Sequence, residues 1–138
     1  MSAARIMITE SDKSRLMRLL DEVTAQSVRP DEEFNAFRRK LNRAQVVPSE
    51  EIPDDIVTMN SKIEMYDGDF DITEVYTLVY PRDANASLNR LSILNPLGMT
   101  ILGRRQGDVA RWYNASGEHQ LTLMTLTFQP ERDGVMNL

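Results

Sequence analysis

The 138-residue chain contains no cysteine and a single histidine, His119. The absence of cysteine excludes disulfide bonds, thiolate metal sites and cysteine nucleophiles, and a lone histidine excludes an all-histidine metal site. No apolar run is long enough to span a bilayer, and residues 1–5 lack the apolar stretch that a secretory signal needs. We therefore expect a cytoplasmic protein without a membrane partner.

The chain also lacks the positive charge that nucleic-acid binding requires. Its formal net charge is −5, so direct binding to phosphates would need a local basic patch. The best candidate is the run Arg38–Lys40 with Arg43, which falls on a predicted helix beside acidic residues. We interpret this run as a solvated helix face. Hydrophobic residues make up 41% of the chain, which is enough for one compact core.

The first third of the chain has the spacing of two amphipathic helices. Four apolar residues recur at i, i+3, i+4 and i+7, namely Leu16, Leu19, Leu20 and Val23. Four more residues follow at helical spacing further on, namely Phe34, Phe37, Leu41 and Ala44. Ser11 or Asp12 is the expected N-cap of the first helix, and Pro30 is expected in the first turn of the second. These patterns predict an antiparallel helical hairpin, a short coiled coil, over residues 1–48.

From residue 56 onward the apolar period changes to two, which is typical of strands. Six strands are predicted: Ile56–Met59, Lys62–Tyr66, Thr73–Tyr80, Leu91–Leu94, Val109–Tyr113 and Gln120–Phe128. The alternation of the last strand is interrupted after Met124, which indicates an irregularity near its middle. A short helix is expected over Pro96–Leu102, with Gly103 as its stop. The chain is thus predicted to be α+β, with residues 49–138 forming a mostly antiparallel sheet domain around one short helix.

One group of carboxylates resembles the opening of a calcium-binding loop. Three aspartates alternate as the oxygen ligands of such loops do, namely Asp67, Asp69 and Asp71. However, Ile72 occupies the position of the required glycine, and Leu78 that of the bidentate glutamate. A charged hairpin turn is therefore the better interpretation.

The other polar patterns also have simple structural interpretations. His119 has no evident catalytic partners and is expected on the surface. The spacing of Gly98, Gly103 and Gly107 does not match a phosphate-binding loop, so these residues are interpreted as turn and cap glycines. The acidic run Asp31–Glu33 could reach a basic or metal-bearing pocket on a partner. Residue chemistry alone favours a plainer role for this run, which is to complement the positive end of the second helix dipole.

Several separated motifs, in the same order, are similar to those of the Gre transcript-cleavage factors. Four stretches resemble the C-terminal domain of that family: Asp55–Ile63, Leu78–Pro81, Leu91–Gly103 and Gly107-Asp108. Two more, Leu41–Gln45 and Phe128–Glu131, are similar to a short-hairpin branch, the regulators of nucleoside diphosphate kinase. Any one motif alone would be a weak signal, but their order along the chain is specific.

The resemblance implies an FKBP-like C-terminal domain, an N-terminal coiled-coil hairpin and RNA polymerase as the partner, with DNA contacted only through the polymerase. Gre factors dock this domain on the rim of the polymerase secondary channel and insert the hairpin. Acidic residues at the hairpin tip then hold magnesium and stimulate cleavage of backtracked RNA. The equivalents here are Asp31, Glu32 and Glu33 at the tip, and Asn95, Pro96 and Leu97 in the rim motif that reads S-P-L-G in the family.

Hairpin length separates the functional hypotheses. Each helix is expected to span about 14 residues, or about 20 Å, whereas Gre hairpins are about twice as long. We therefore expect a regulator that competes with Gre factors, without cleavage activity, catalytic residues, metal or cofactor. The resemblance also implies an influence on nucleoside diphosphate kinase. Two alternatives stay open: a Gre-like cleavage factor, if the first helix extends past Gln26, and a peptidyl-prolyl isomerase, suggested by the FKBP-like fold.

Overall fold

The computed structural model describes residues 6–26 and 31–135, and the chain divides into two compact units. The first unit ends at Ile52 and the second begins at Pro53. Both units contain fully buried apolar side chains, so each has a core of its own. Within the described ranges, none of the helices combines the length and the apolar content that a bilayer-spanning segment requires.

Two helices, α1 (Glu10–Ala25) and α2 (Glu32–Arg43), form the first unit as an antiparallel hairpin. Four side chains of the predicted apolar faces are buried, namely Leu16, Leu20, Phe37 and Leu41. The predicted helix faces are therefore confirmed. The N-cap of α1 is Thr9 instead of Ser11 or Asp12, because the Thr9 side chain accepts the Asp12 N–H at 3.0 Å. Pro30, expected in the first turn of α2, lies outside the described residues.

A pair of three-residue strands closes the open end of the hairpin. Strand β1 (Met7–Thr9) precedes α1, and β2 (Gln45–Val47) follows α2. The two strands are parallel, with Ile8 opposite Val46. The sequence analysis did not predict this pair, because three residues are too few to establish an alternating pattern.

The second unit is built on a five-stranded sheet in the order β5-β4-β3-β7-β6. The strands are β3 (Lys62–Asp67), β4 (Ile72–Val79), β5 (Arg90–Ser92), β6 (Val109–Asn114) and β7 (Gly117–Phe128). Ile63 lies opposite Leu126 and Met65 opposite Leu123, so β7 contributes one residue more than β3 between these pairs. This bulge confirms the predicted irregularity after Met124.

The sheet is mixed, because β5 runs parallel to β4 along one edge. A parallel neighbour requires a connection that returns the chain to the starting end of the strand. Residues 80–89 make this return through two short 3-10 turns, Pro81–Asp83 and Ala86–Leu88. The expected antiparallel arrangement thus holds for the pairs β3–β4, β3–β7 and β6–β7 and fails at this edge.

The predicted strand Ile56–Met59 is wrong. This stretch is irregular, with one isolated bridge between Ile56 and Arg105. Its backbone is instead fixed by single hydrogen bonds, including the Val57 N–H to the Arg104 carbonyl at 2.9 Å. All four residues are at most 1% exposed. The segment is therefore buried on all sides, unlike a strand that has one buried and one exposed face.

Two short helices complete the second unit. The predicted helix is present as α3 (Pro96–Ile101), which contacts β6, and Gly103 follows it with a φ of 80°. Such a positive φ is the conformation expected of a glycine at a helix end. The C-terminal helix α4 (Pro130–Asp133) follows β7 directly and ends at Gly134, also in the left-handed conformation.

Candidate functional site

The loop before α3 presents the first two residues of the predicted rim motif to solvent. Asn95 is exposed and caps α3, since its Oδ1 accepts the Leu97 N–H at 2.9 Å. Pro96 is half-buried at the first helical position, where the missing N–H of proline has no cost. Leu97 is only 8% exposed and belongs to the core of the unit. A partner would therefore touch Asn95 and Pro96 far more than Leu97.

Gly98 explains why this loop is held in place. A Cβ at Gly98 would lie 2.3 Å from the Ser92 carbonyl oxygen and 3.1 Å from the Ile93 Cα. The same carbonyl accepts the Asn95 N–H at 3.0 Å, which folds the loop against the helix. The interpretation of Gly98 as a turn or cap residue was wrong: it is a helical residue that allows close backbone approach.

A groove of about 430 Å³ adjoins Asn95. It is lined by Tyr76 and Arg90 and by the connection that carries Asn85 and Asn89. Asn85 orders this connection, because its Oδ1 accepts the Ser87 N–H at 3.1 Å. No sequence pattern pointed to these residues, because the groove forms only when β5 pairs in parallel with β4. Their position next to Asn95 makes them candidate partner contacts.

The acidic residues at the start of α2 have two different roles. Asp31 is the N-cap, and its Oδ1 accepts the N–H groups of Glu33 and Phe34 at 2.9 and 3.2 Å. Glu32 and Glu33 are exposed in the first turn, close to the positive end of the helix dipole. Across residues 6–26 and 31–135, no cluster of His, Cys, Asp and Glu could hold a metal ion.

We expect Asp31→Ala to destabilise the hairpin by about 1 kcal/mol, because two helix N–H groups would lose their acceptor. Asp31→Asn should be nearly neutral, since asparagine caps helices about as well. Thermal unfolding followed by circular dichroism at 222 nm measures both changes. Glu32→Ala is the matched control, as it removes a carboxylate that is not a cap. Equal losses for Asp31→Ala and Glu32→Ala would contradict the capping role.

Two of the other polar patterns have structural roles. Asp67 and Asp71 belong to the hairpin turn between β3 and β4, where the Asp67 Oδ1 accepts the Asp69 N–H at 3.0 Å. This confirms the predicted charged turn. In the basic run of α2, Arg38 pairs with Asp21 of α1 at 2.9 Å. The exposed pair links the two helices and stabilises them only weakly.

Two distant motifs of the sequence meet at the C-terminal end of β7. Gln129 is fully buried, and its Nε2 donates to the carbonyls of Pro53 and Ile56 at 2.9 and 2.8 Å. Nearby, the Thr58 hydroxyl donates to Glu131 at 2.7 Å. The stretches around residues 55–63 and 128–131 therefore hold each other in place. The buried residues of these two stretches therefore have structural roles, whereas Asn95 is exposed and Pro96 is half-buried.

Comparisons with known proteins support the resemblance to the Gre factors. The family described as "Transcription elongation factor, GreA/GreB, C-term" matches residues 52–128. The regulator of nucleoside diphosphate kinase from Escherichia coli strain K12 is 35% identical over 135 residues, which cover 97% of each chain. The transcription elongation factor GreA from Clostridium botulinum strain Eklund 17B is 37% identical over 73 residues, which are 53% of this chain and 46% of that protein.

A solved structure shows the likeness in three dimensions. The prokaryotic transcription elongation factor GreA/GreB from Nitrosomonas europaea matches with a TM-score of 0.74 and 34% sequence identity. The match covers 89% of this chain and 99% of that one. Both the sequence and the fold thus place the protein among these factors, and the chain belongs to the GreA/GreB family of transcription elongation factors.

Proposed function

We propose that this protein regulates transcription by binding RNA polymerase at the rim of the secondary channel, where it competes with Gre factors. The observation that carries the proposal is the family's rim motif at residues 95–98, whose first two residues are accessible on a loop fixed by Gly98. A rigid, exposed loop can bind with little loss of conformational entropy. Contact with DNA would be indirect, through the polymerase.

The short hairpin supports regulation by occupancy instead of assistance to cleavage. Helix α1 has 16 residues and α2 has 12, so they are about 24 and 18 Å long. Helix α1 ends at Ala25 with Gln26 as its C-cap, which argues against the longer first helix that a cleavage factor would need. In addition, the Asp31 carboxylate is engaged as a helix cap. Catalytic use of a metal depends on its placement, so a hairpin shorter than that of the Gre cleavage factors would not deliver it.

A link to nucleoside diphosphate kinase is part of the same proposal. The E. coli relative that matches 97% of the chain is named a regulator of that enzyme. We infer that this chain has the same regulatory association, exerted through the polymerase. In this view the protein is a binding factor and not an enzyme.

The test is binding of the purified, fluorescently labelled protein to core RNA polymerase, with and without GreA. We expect saturable binding that GreA displaces, because both would occupy one site. The double variant Asn95→Ala with Pro96→Ala should bind about tenfold more weakly, which corresponds to about 1.4 kcal/mol. Asn95→Ser should bind nearly as well as the unmodified protein, because serine also caps the helix and is the residue of the family motif.

The matched control is Asn42→Ala, an asparagine exposed on α2 in the other unit. Equal weakening by this variant, or the absence of binding at micromolar concentrations, would contradict the rim model. Cleavage of backtracked RNA that depends on the added protein would favour the cleavage-factor alternative. Turnover of a proline peptide above background would favour the isomerase alternative.

A further inference from the structure

A second pocket on the sheet unit, of about 250 Å³, includes neither Asn95 nor Pro96. Its buried part is apolar and includes Met65, which is 1% exposed, and Leu97. Trp112 and His119 also line it, with their rings stacked at a centroid distance of 5.3 Å and an interplanar angle of 24°. Phe70, which is 73% exposed, also lines it. The pocket thus combines a sheltered apolar part with an aromatic wall.

The exposed part of this pocket is acidic. Asp67, Asp69 and Glu74 line it, and no lysine or arginine does so among the described residues. The hydroxyl of Tyr76, another lining residue, donates to Glu74. Burial, this hydrogen bond and the charges of Glu74 and Asp67 raise the pKa of Tyr76 to about 12. A negative potential of this kind attracts cations and repels phosphates.

The size of the pocket favours a single side chain as its occupant. Small-molecule sites usually have volumes of about 300–1,000 Å³, and this pocket is smaller. Among cationic side chains, arginine is the better match. Its planar guanidinium stacks on aromatic rings such as Trp112 and forms bidentate hydrogen bonds with carboxylates. The ammonium of lysine does neither as well. Exposed apolar side chains at the pocket, such as Phe70, can contact the partner residues that flank the arginine.

We propose that this pocket binds an arginine side chain from an exposed segment of a partner protein. The pocket includes neither Asn95 nor Pro96, although Leu97 lines its buried part and Tyr76 also lines the groove beside Asn95. An arginine bound there would add a second point of recognition next to the rim loop, with different chemistry from the Asn95 contact. The proposal can be tested without polymerase.

Trp112 is the only tryptophan in the chain and therefore reports directly on the pocket. The probe is an acetylated and amidated pentapeptide with a central arginine flanked by leucines and glycines. We expect a saturable change in Trp112 emission during titration of the full chain. The same peptide with citrulline, which is neutral and of similar shape, should bind at least about tenfold more weakly, and the lysine peptide should lie between the two.

Two charge variants separate a local contact from general attraction. Glu74→Gln should weaken arginine-peptide binding about fivefold, because it removes a carboxylate that lines the pocket. Glu64→Gln removes the same charge from β3, one residue from Met65 and hence on the opposite face of the sheet. It should change binding less than about twofold, since screening weakens distant charges.

Three results would overturn the proposal. The first is an absence of saturable emission change up to several millimolar peptide. The second is equal weakening by Glu64→Gln and Glu74→Gln, which would indicate only non-specific attraction to an acidic protein. The third is displacement of the peptide by an equal concentration of spermidine, which would show that any cation suffices.

Discussion

The variant Gly98→Ala is expected to lose about 3 kcal/mol of the stability of the sheet unit. The added Cβ would lie 2.3 Å from the Ser92 carbonyl oxygen, and backbone atoms cannot move aside as the end of a flexible side chain can. Overpacking of a core usually costs about 1–3 kcal/mol, and a clash with backbone belongs at the upper end of that range. Urea unfolding followed by Trp112 emission measures the loss in the unit where the clash occurs.

Gly68→Ala is the matched control for this variant. A Cβ at Gly68 would have Tyr66 as its neighbour at 3.5 Å, which is an ordinary contact distance. We expect a change within about 0.5 kcal/mol, as for most surface substitutions. A Gly98→Ala protein as stable as the Gly68→Ala protein would show that α3 does not lie against the preceding loop as described.

Replacement of Gln129 by methionine is the second change with a large expected effect. Methionine has a similar length, so volume is nearly conserved while the hydrogen bonds are lost. The carbonyls of Pro53 and Ile56 and the N–H of Arg132 would each lose a partner. A buried polar group without a partner costs about 1–3 kcal/mol, so we expect a loss of about 3 kcal/mol in total. Urea unfolding is again the measurement.

Gln120→Met provides the comparison, because Gln120 is exposed on β7 and forms part of the same strand. Its expected effect is within about 0.5 kcal/mol. If the two glutamine variants unfold at the same urea concentration, the buried carboxamide does not hold the segment around Ile56 in place.

Much of the sheet could be predicted because local chemistry and tertiary structure agree there. Strands β3, β4, β6 and β7 alternate in hydrophobicity, and turn residues such as Gly68 and Gly117 separate them. Helices α1 and α2 show equally clear periodicity. Where one face of an element is buried and the other is solvated, the sequence carries the period of that element.

The errors occur where burial does not follow a period or where pairing is distant. Ile56–Met59 is buried on all sides, so its apolar run resembled a strand although long-range hydrogen bonds hold it in an irregular path. The three-residue strands β1 and β2 pair residues far apart along the chain, and the parallel direction of β5 beside β4 depends on the path of residues 80–89. No local pattern marked β1 and β2, and the predicted strand Leu91–Leu94 overlaps β5 but carried no sign of its parallel direction.

Two parts of the candidate site could be predicted from the sequence. The rim loop was predicted from its similarity to the family motif, and the acidic run from its position at the start of the second helix. The sequence could not show that Asp31 would be engaged as a cap, because capping and partner binding require the same residue type. The proposed arginine pocket could not be predicted from the sequence either. It combines Trp112 and His119 from one hairpin with Glu74 from another strand, and only the folded sheet brings them together.

The hydrogen bond of the Asn95 carboxamide within its own helix influences which groups of a partner suit this loop. Because its Oδ1 already accepts the Leu97 N–H, the side chain offers its amide hydrogens to a partner. A serine hydroxyl at this position could cap the helix and still rotate to suit either kind of partner group. The asparagine version of the motif therefore brings two hydrogen-bond donors where serine brings one, and these suit a carboxylate or carbonyl group opposite.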